Sequence, residues 1–343
     1  MSNSNYILED CDPAAIQTEI HNYTGRCPTL TYEINPVKGC GIACQYCLVT
    51  DGIHQPVITA YRNYHLYVRR LLDEMNGEGS ENANHYYYFS PKTEALQEAT
   101  LRTGIAHRIL REFIDHYRRC PASKARLFIA SKAGVNDLLI ADEGETILDL
   151  FQQLEDRMQF NTSVSIMPAA FRSVIEPYAA PIEERLEAVK LCQSHGVLAN
   201  SALVQPIFTP CLTDENIRTF FDSLHAAGIV NYKPEFLTVC MENLAHLGKI
   251  LGRFDKDMEK QLYEDYMAPS NADHRKQRSR TAPDRALSLR CIKRMMEYTD
   301  TLGMSVSICY WVRMQLGIGE DMIPIINRNG FQCLGYQSQL FDK

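Results

Sequence analysis

Apolar positions along the chain fall into two alternating spacings between residues 29 and 240. Short runs rich in β-branched and aromatic side chains, such as TLTYEIN at 29–35 and RLFIAS at 126–131, read as strands. Longer stretches with apolar residues three and four apart, such as YRNYHLYVRRLLDEM at 61–75, read as helices. The pattern predicts strands at 29–35, 85–90, 126–131, 162–167, 197–204 and 234–240. Helices are expected at 61–75, up to about residue 119, and at 145–158, 181–196 and 214–227, with a polar loop at 76–84. Pro181 suits a helix start, and Gly196 and Gly228 suit helix ends. In the run Tyr86-Tyr87-Tyr88, strand alternation sends Tyr86 and Tyr88 to one face and Tyr87 to the other.

Strands alternating with helices indicate βαβ units and a parallel sheet, hence an α/β fold. Right-handed crossovers wrap such a sheet into a full or partial barrel, and a doubly wound open sheet is the competing layout. The last hundred or so residues differ. Residues 258–285 are polar and charged and contain HRKQRSR at 274–280. They read as a solvated loop, with a lid or a grip on an anionic substrate as the alternative. A helix at 286–302, stopped by Gly303, and a seventh strand at 305–311 follow. The expected organisation is an extension over 1–28, the α/β unit over 29–240 and a C-terminal region over 241–343 that closes over substrate or carries an auxiliary site.

Composition narrows the function. Of 343 residues, 45% are hydrophobic and 22% charged, as in an ordinary globular protein. No apolar run approaches the ~18 residues of a membrane span. The N-terminus lacks the basic start and apolar core of a secretion signal, so the expected compartment is the cytoplasm. The net charge of −7 counts against a nucleic-acid substrate, because phosphate neutralisation supplies much of such binding. Twelve cysteines in a reducing compartment point to metal binding or catalysis wherever their spacing is tight.

The tight spacing is Gly39-Cys40-Gly41-Ile42-Ala43-Cys44-Gln45-Tyr46-Cys47, directly after the first strand. Three thiolates this close converge only on a tightly curled loop, which Gly39 and Gly41 permit. They fall one short of the four cysteines that fill a [4Fe–4S] cluster, leaving one iron for a small molecule. The alternative is a zinc site completed by a fourth ligand, although zinc sites more often use two close pairs of ligands.

Cys-x3-Cys-x-aromatic-Cys, with Tyr46 as the aromatic residue, resembles the signature of the radical S-adenosylmethionine (SAM) superfamily. The resemblance implies a partial (β/α)6 TIM-type barrel with a C-terminal extension. It implies a [4Fe–4S] cluster on Cys40, Cys44 and Cys47 whose open iron is chelated by SAM. One electron, from a reductant such as flavodoxin or ferredoxin, then cleaves SAM to methionine and a 5′-deoxyadenosyl radical. That radical takes a hydrogen atom from the substrate.

Later segments resemble the spore photoproduct lyase, or DNA repair photolyase-like, branch. They are Phe89 to Gln97, Ile129 to Ala133, Ser163 to Ser165, Glu176-Pro177 through Ala180-Pro181 to Glu184-Arg185, and Val204 to Ile207. By position, the resemblance gives Lys132 to the SAM carboxylate, Thr93 and Ser131 to the methionyl end, Ser165 to the ribose and Tyr46 to the adenine. A serine or threonine at a strand end is also a common helix cap. The chain departs from that branch in having no cysteine between Cys47 and Cys120, where the repair enzyme needs its hydrogen donor. The expected target is therefore a small organic molecule, in natural-product or nucleoside biosynthesis. Nucleic-acid lesion repair is the alternative within the class, and a non-catalytic metal-binding module the alternative outside it. Cys240, Cys291, Cys309 and Cys333 are candidates for a second iron–sulfur cluster, with buried inert thiols as the alternative.

Overall fold

The computed structural model describes residues 5–20, 31–47, 57–76, 86–267 and 281–308. Its frame is a mixed α/β arrangement around one large, mostly parallel sheet. Seven strands run parallel: β1 (Thr31–Ile34), β2 (Tyr86–Phe89), β3 (Arg126–Ser131), β4 (Met158–Val164), β5 (Leu198–Ile207), β6 (Asn231–Phe236) and β7 (Ser305–Val306). Each pairs with the next in sequence, so the order never reverses. A doubly wound sheet would show such a reversal. Glu19–Ile20 adds an antiparallel strand beside β1. Among the described residues, this edge does not pair with β7 at the other end.

The longer helices are α1 (Tyr64–Asn76), α2 (Ile105–Arg119), α3 (Ile147–Leu154), α4 (Ala169–Ile175), α5 (Ile182–Ser194), α6 (Asp214–Ala226), α7 (Met241–Leu251), α8 (Lys256–Tyr266) and α9 (Arg285–Thr301). Local chemistry sets several starts. The Thr146 hydroxyl accepts from the Asp149 amide before α3, and the Thr213 hydroxyl from the Asn216 amide before α6. Asp284 caps α9 through the amides of Ala286 and Leu287. Gly196, at φ 76°, follows α5.

One face of the sheet joins the apolar sides of α1, α2, α3, α5, α6 and α9 in the main core, which includes Tyr32, Tyr87, Phe89, Ile129, Phe160 and Tyr232. The other face carries Tyr86, Tyr88, Phe128 and Leu203. The tyrosine run is thus split between faces as strand alternation requires. A third apolar group, at the C-terminal strand ends, gathers Tyr46, Phe171, Phe208 and residues of α7 and α8.

Several boundaries differ from expectation. The fourth strand covers 158–164 rather than 162–167, because Met158 and Phe160 already alternate into the core. Ser165 therefore lies just past its end. The sixth covers 231–236 rather than 234–240. It starts earlier because Tyr232, ahead of Pro234, already fills the core. Cys240 consequently caps α7 instead of ending a strand. The solvated loop expected over 258–285 begins instead inside α8, a charged helix that buries Leu262 and Tyr266 at a four-residue spacing. Residues 274–280 lie outside the described residues, as do 77–84 of the expected polar loop and 309–311 of the expected seventh strand. A small sheet of Tyr6–Glu9, Ile58–Tyr61 and Val37–Lys38 was not foreshadowed, and it anchors the chain immediately before Gly39.

Phe160 is fully buried and packs on Phe151, with ring centroids 5.7 Å apart. Phe160→Ala is expected to cost about 3–5 kcal/mol, the usual penalty for a large cavity in a core. Urea unfolding should show a lower midpoint at an unchanged slope. A loss below about 1 kcal/mol would contradict this placement of the core.

Candidate active site

The three-cysteine loop leaves the sheet beyond the C-terminal end of β1. It curls through two residues in the left-handed region, Gly39 at φ 88° and Ala43 at φ 56°. Two neighbours pin it. The Gly41 amide donates to Gln97 Oε1 at 2.9 Å, and the Gln45 amide donates to the Ile175 carbonyl at 2.9 Å. Gln97 follows β2 and Ile175 ends α4, so the loop is tied to both sides of the strand-end rim. On its outer side, Gln45 Oε1 lies 3.0 Å from His246 Nε2 of α7.

Cys40, Cys44 and Cys47 each keep partial contact with solvent. The protein around Cys40 and Cys44 is nevertheless dense, and burial pushes their thiols up to about 11 and about 12. Each also feels the charge of Cys47, and Cys44 feels Cys40, so the three side chains share one neighbourhood. The Lys132 ammonium opposes the shift at Cys44. Among the described residues, no three His, Cys, Asp or Glu side chains converge closely enough for a single metal ion. Ligands of one zinc must all lie within about 2.3 Å of one point. A [4Fe–4S] cluster instead spreads its thiolates over separate irons.

Lys132 follows β3 and points its Nζ at Ser163 Oγ, 3.1 Å away at the end of β4. It sits 5.9 Å from the Tyr46 ring centre. Burial disfavours its charge, but Cys44 and Glu176 outweigh that and raise its pKa. The hydroxyls of Thr93 and Ser165 are buried and lack any hydrogen-bond partner, as do Ser90 Oγ and Gln97 Nε2. Buried polar groups are nearly always satisfied, so these donors at one end of the sheet suit a polar ligand. Ser131 differs. Its hydroxyl donates to Glu94 Oε1 at 2.5 Å and accepts from the Ala133 amide at 2.9 Å. The Tyr46 hydroxyl is also engaged, donating to Glu176, while its ring meets the edge of Phe208.

Two acidic residues organise the site without having been assigned roles from sequence. Glu94 accepts from Ser131, from the Lys132 amide at 2.9 Å and from the Leu96 amide at 3.1 Å. Glu176 pairs with Arg185, and both are buried. Burial works against the Glu176 charge, but Arg185 and Lys132 outweigh it and hold the carboxyl below its usual range. Both glutamates lie in segments of the sequence singled out for resemblance, Phe89 to Gln97 and Glu176 to Arg185. Glu94 stands in a polar stretch and Glu176 at a helix end, so neither carried a local signal of its role.

No protein-family model matches the chain. It is similar to the uncharacterized protein ORF301 of Acidianus two-tailed virus, 24% identical over 246 residues, 67% of this chain and 76% of that protein. It is also similar to Streptococcus suis SuiB, solved bound to precursor peptide SuiA, at 11% identity and a TM-score of 0.42. That match covers 66% of this chain and 46% of the SuiB chain, so the chain spans under half of that structure's length. Neither description is that of a photoproduct lyase, so the repair branch gains no support. Among the described residues, no helix is long and apolar enough to cross a membrane.

Of the other cysteines, Cys291 is buried in the main core and Cys240 is half-buried at the start of α7. Cys309 and Cys333 lie outside the described residues. Two clefts lie away from the strand ends that carry Lys132. One is lined by Arg69, Glu112, Asp115, Arg118 and Arg119. The other is at the opposite strand ends, around Asp156, Gly196 and Gly228.

Glu94→Ala strands three donors, two of them backbone amides, and is expected to destabilise the metal-free chain by at least about 2 kcal/mol. Thr93→Val removes a hydroxyl with no partner and should leave the urea midpoint unchanged or raise it. A marked loss of stability in Thr93→Val would show that its hydroxyl is needed by the fold rather than held for a ligand.

Proposed function

We propose that the chain is a radical SAM enzyme acting on a small organic substrate. The observation that carries this reading is the three-cysteine loop beyond β1, whose Cys44 feels the Lys132 ammonium, together with the buried, unpartnered hydroxyls of Thr93 and Ser165 past the ends of β2 and β4. Cys40, Cys44 and Cys47 would hold a [4Fe–4S] cluster. The donor set fits: three soft thiolate ligands, with no fourth cysteine in the loop to close the site. When bound, the cluster and SAM supply reductive cleavage of the sulfonium and a 5′-deoxyadenosyl radical for hydrogen abstraction.

The chain's own residues bind and orient. Lys132 offers a fixed ammonium to the SAM carboxylate, as a point charge on a side chain steadied by Ser163. Thr93 is free to hydrogen-bond the methionyl end, and Ser165 the ribose. Ser131, committed to Glu94, fixes the backbone that presents Lys132. The ring of Tyr46 walls the site beside Lys132, backed by α7 and α8 from the C-terminal region. That apolar backing limits water at the reacting centre. We read the seven sequential parallel strands as a partial barrel, with these residues at its C-terminal mouth, where barrel enzymes build their sites. The proposal includes no second cluster, because the Cys291 side chain is committed to the main core.

Reconstituted anaerobically with iron and sulfide, then given dithionite and SAM, the chain is expected to release 5′-deoxyadenosine, read by mass spectrometry. Cys44→Ala should reduce this to background. Lys132→Met should keep the cluster but weaken SAM binding on the order of tenfold or more, as expected for loss of a charged hydrogen bond. Absence of 5′-deoxyadenosine from the iron-loaded wild-type chain would overturn the reading.

A further inference from the structure

Glu176 directly follows Ile175, the last residue of α4, whose carbonyl already holds the Gln45 amide. Its carboxylate accepts from the Tyr46 hydroxyl on one oxygen and from Arg185 Nη2 on the other. Arg185, in the first turn of α5, is almost wholly buried, and each of its three nitrogens donates a hydrogen bond. Its Nη1 donates to the Ser163 carbonyl at 2.8 Å and its Nε to the Ala180 carbonyl at 2.6 Å. Ser163 in turn receives Lys132, whose ammonium stands over the Tyr46 ring. The contacts close a ring: Tyr46, Glu176, Arg185, Ser163, Lys132 and back to Tyr46. Two of the six cluster-loop residues from Gly41 to Tyr46, namely Gln45 and Tyr46, are therefore stitched to the end of α4.

A buried ion pair is weak as a source of stability, since the cost of removing both charges from water offsets much of the attraction. It is strong as a way of fixing charges in place. Cys44 feels both Glu176 and Lys132. In surroundings of low dielectric, a fixed negative charge beside a redox centre opposes the arrival of an electron.

We propose that Glu176 is a positioning residue for the three-cysteine loop: its carboxylate ties Tyr46 to the buried Arg185, and its charge lowers the reduction potential of the cluster the loop carries. This inference rests on the radical SAM reading. Glu176 touches neither thiolate nor ligand directly; it acts through Tyr46 and through its field.

The test uses full-length wild type, Glu176→Gln and Tyr46→Phe, each reconstituted anaerobically. Two quantities are measured: the midpoint potential, by a redox titration followed by electron paramagnetic resonance, and the rate of iron loss to a chelator. Glu176→Gln keeps the shape but removes the charge, and its midpoint potential is expected to be less negative than that of wild type. Tyr46→Phe keeps the ion pair, so it remains informative if Glu176→Gln does not fold. It is expected to lose iron roughly tenfold faster or more, as for loss of a hydrogen bond to a charged group. Wild-type potential in Glu176→Gln, or a wild-type rate of iron loss in Tyr46→Phe, would overturn the inference while leaving the radical SAM reading standing. A wild-type chain that takes up no cluster would overturn both.

Discussion

A buried carboxylate must find donors, and that requirement fixes the end of the sheet where the chemistry is proposed to occur. Glu94 enters just after β2 and takes the Ser131 hydroxyl and the Lys132 amide from the end of β3. Two neighbouring strand ends are thereby locked in register beyond the last ladder bond, and Lys132 is aimed along the rim. Glu176 imposes the same demand from α4, answered by Arg185 and Tyr46. Both carboxylates act on Lys132, and Glu176 and Lys132 act on Cys44. These charges act together with the Gly41–Gln97 and Gln45–Ile175 contacts that pin the cysteine loop.

The contrast with the neighbouring hydroxyls is informative. Ser131 is fully partnered and serves the frame, whereas Thr93 and Ser165 are buried and unpartnered. Leaving a buried polar group without a partner costs stability, about 1–3 kcal/mol for each group. In the proposed reading, Ser131 holds the site, and Thr93 and Ser165 are held for a ligand.

Much of the frame was legible in the sequence, because burial on both faces forces parallel strands into recognisable apolar runs. The third strand falls at 126–131 as expected, and the tyrosine run divides between faces as alternation demands. The fourth and sixth strands were displaced because polar residues within them, such as Asn161 and Lys233, break the apolar run that marks a strand. α8 escaped notice for a related reason: nine of its eleven positions are polar or charged or lie outside the buried Leu262–Tyr266 stripe. At the site, cysteine spacing is a local signal and was readable. The partners of Glu94 and Glu176 are not local. Tyr46 and Glu176 lie 130 residues apart, and only the fold brings them together.

The central claim is that three cysteines leave one iron open to SAM. The most direct measurement is the electron paramagnetic resonance spectrum of the dithionite-reduced, reconstituted chain before and after addition of SAM. The account predicts a cluster signal whose g values change on SAM addition, because the added ligand binds at the cluster itself. A reduced cluster whose spectrum is indifferent to SAM would contradict the account.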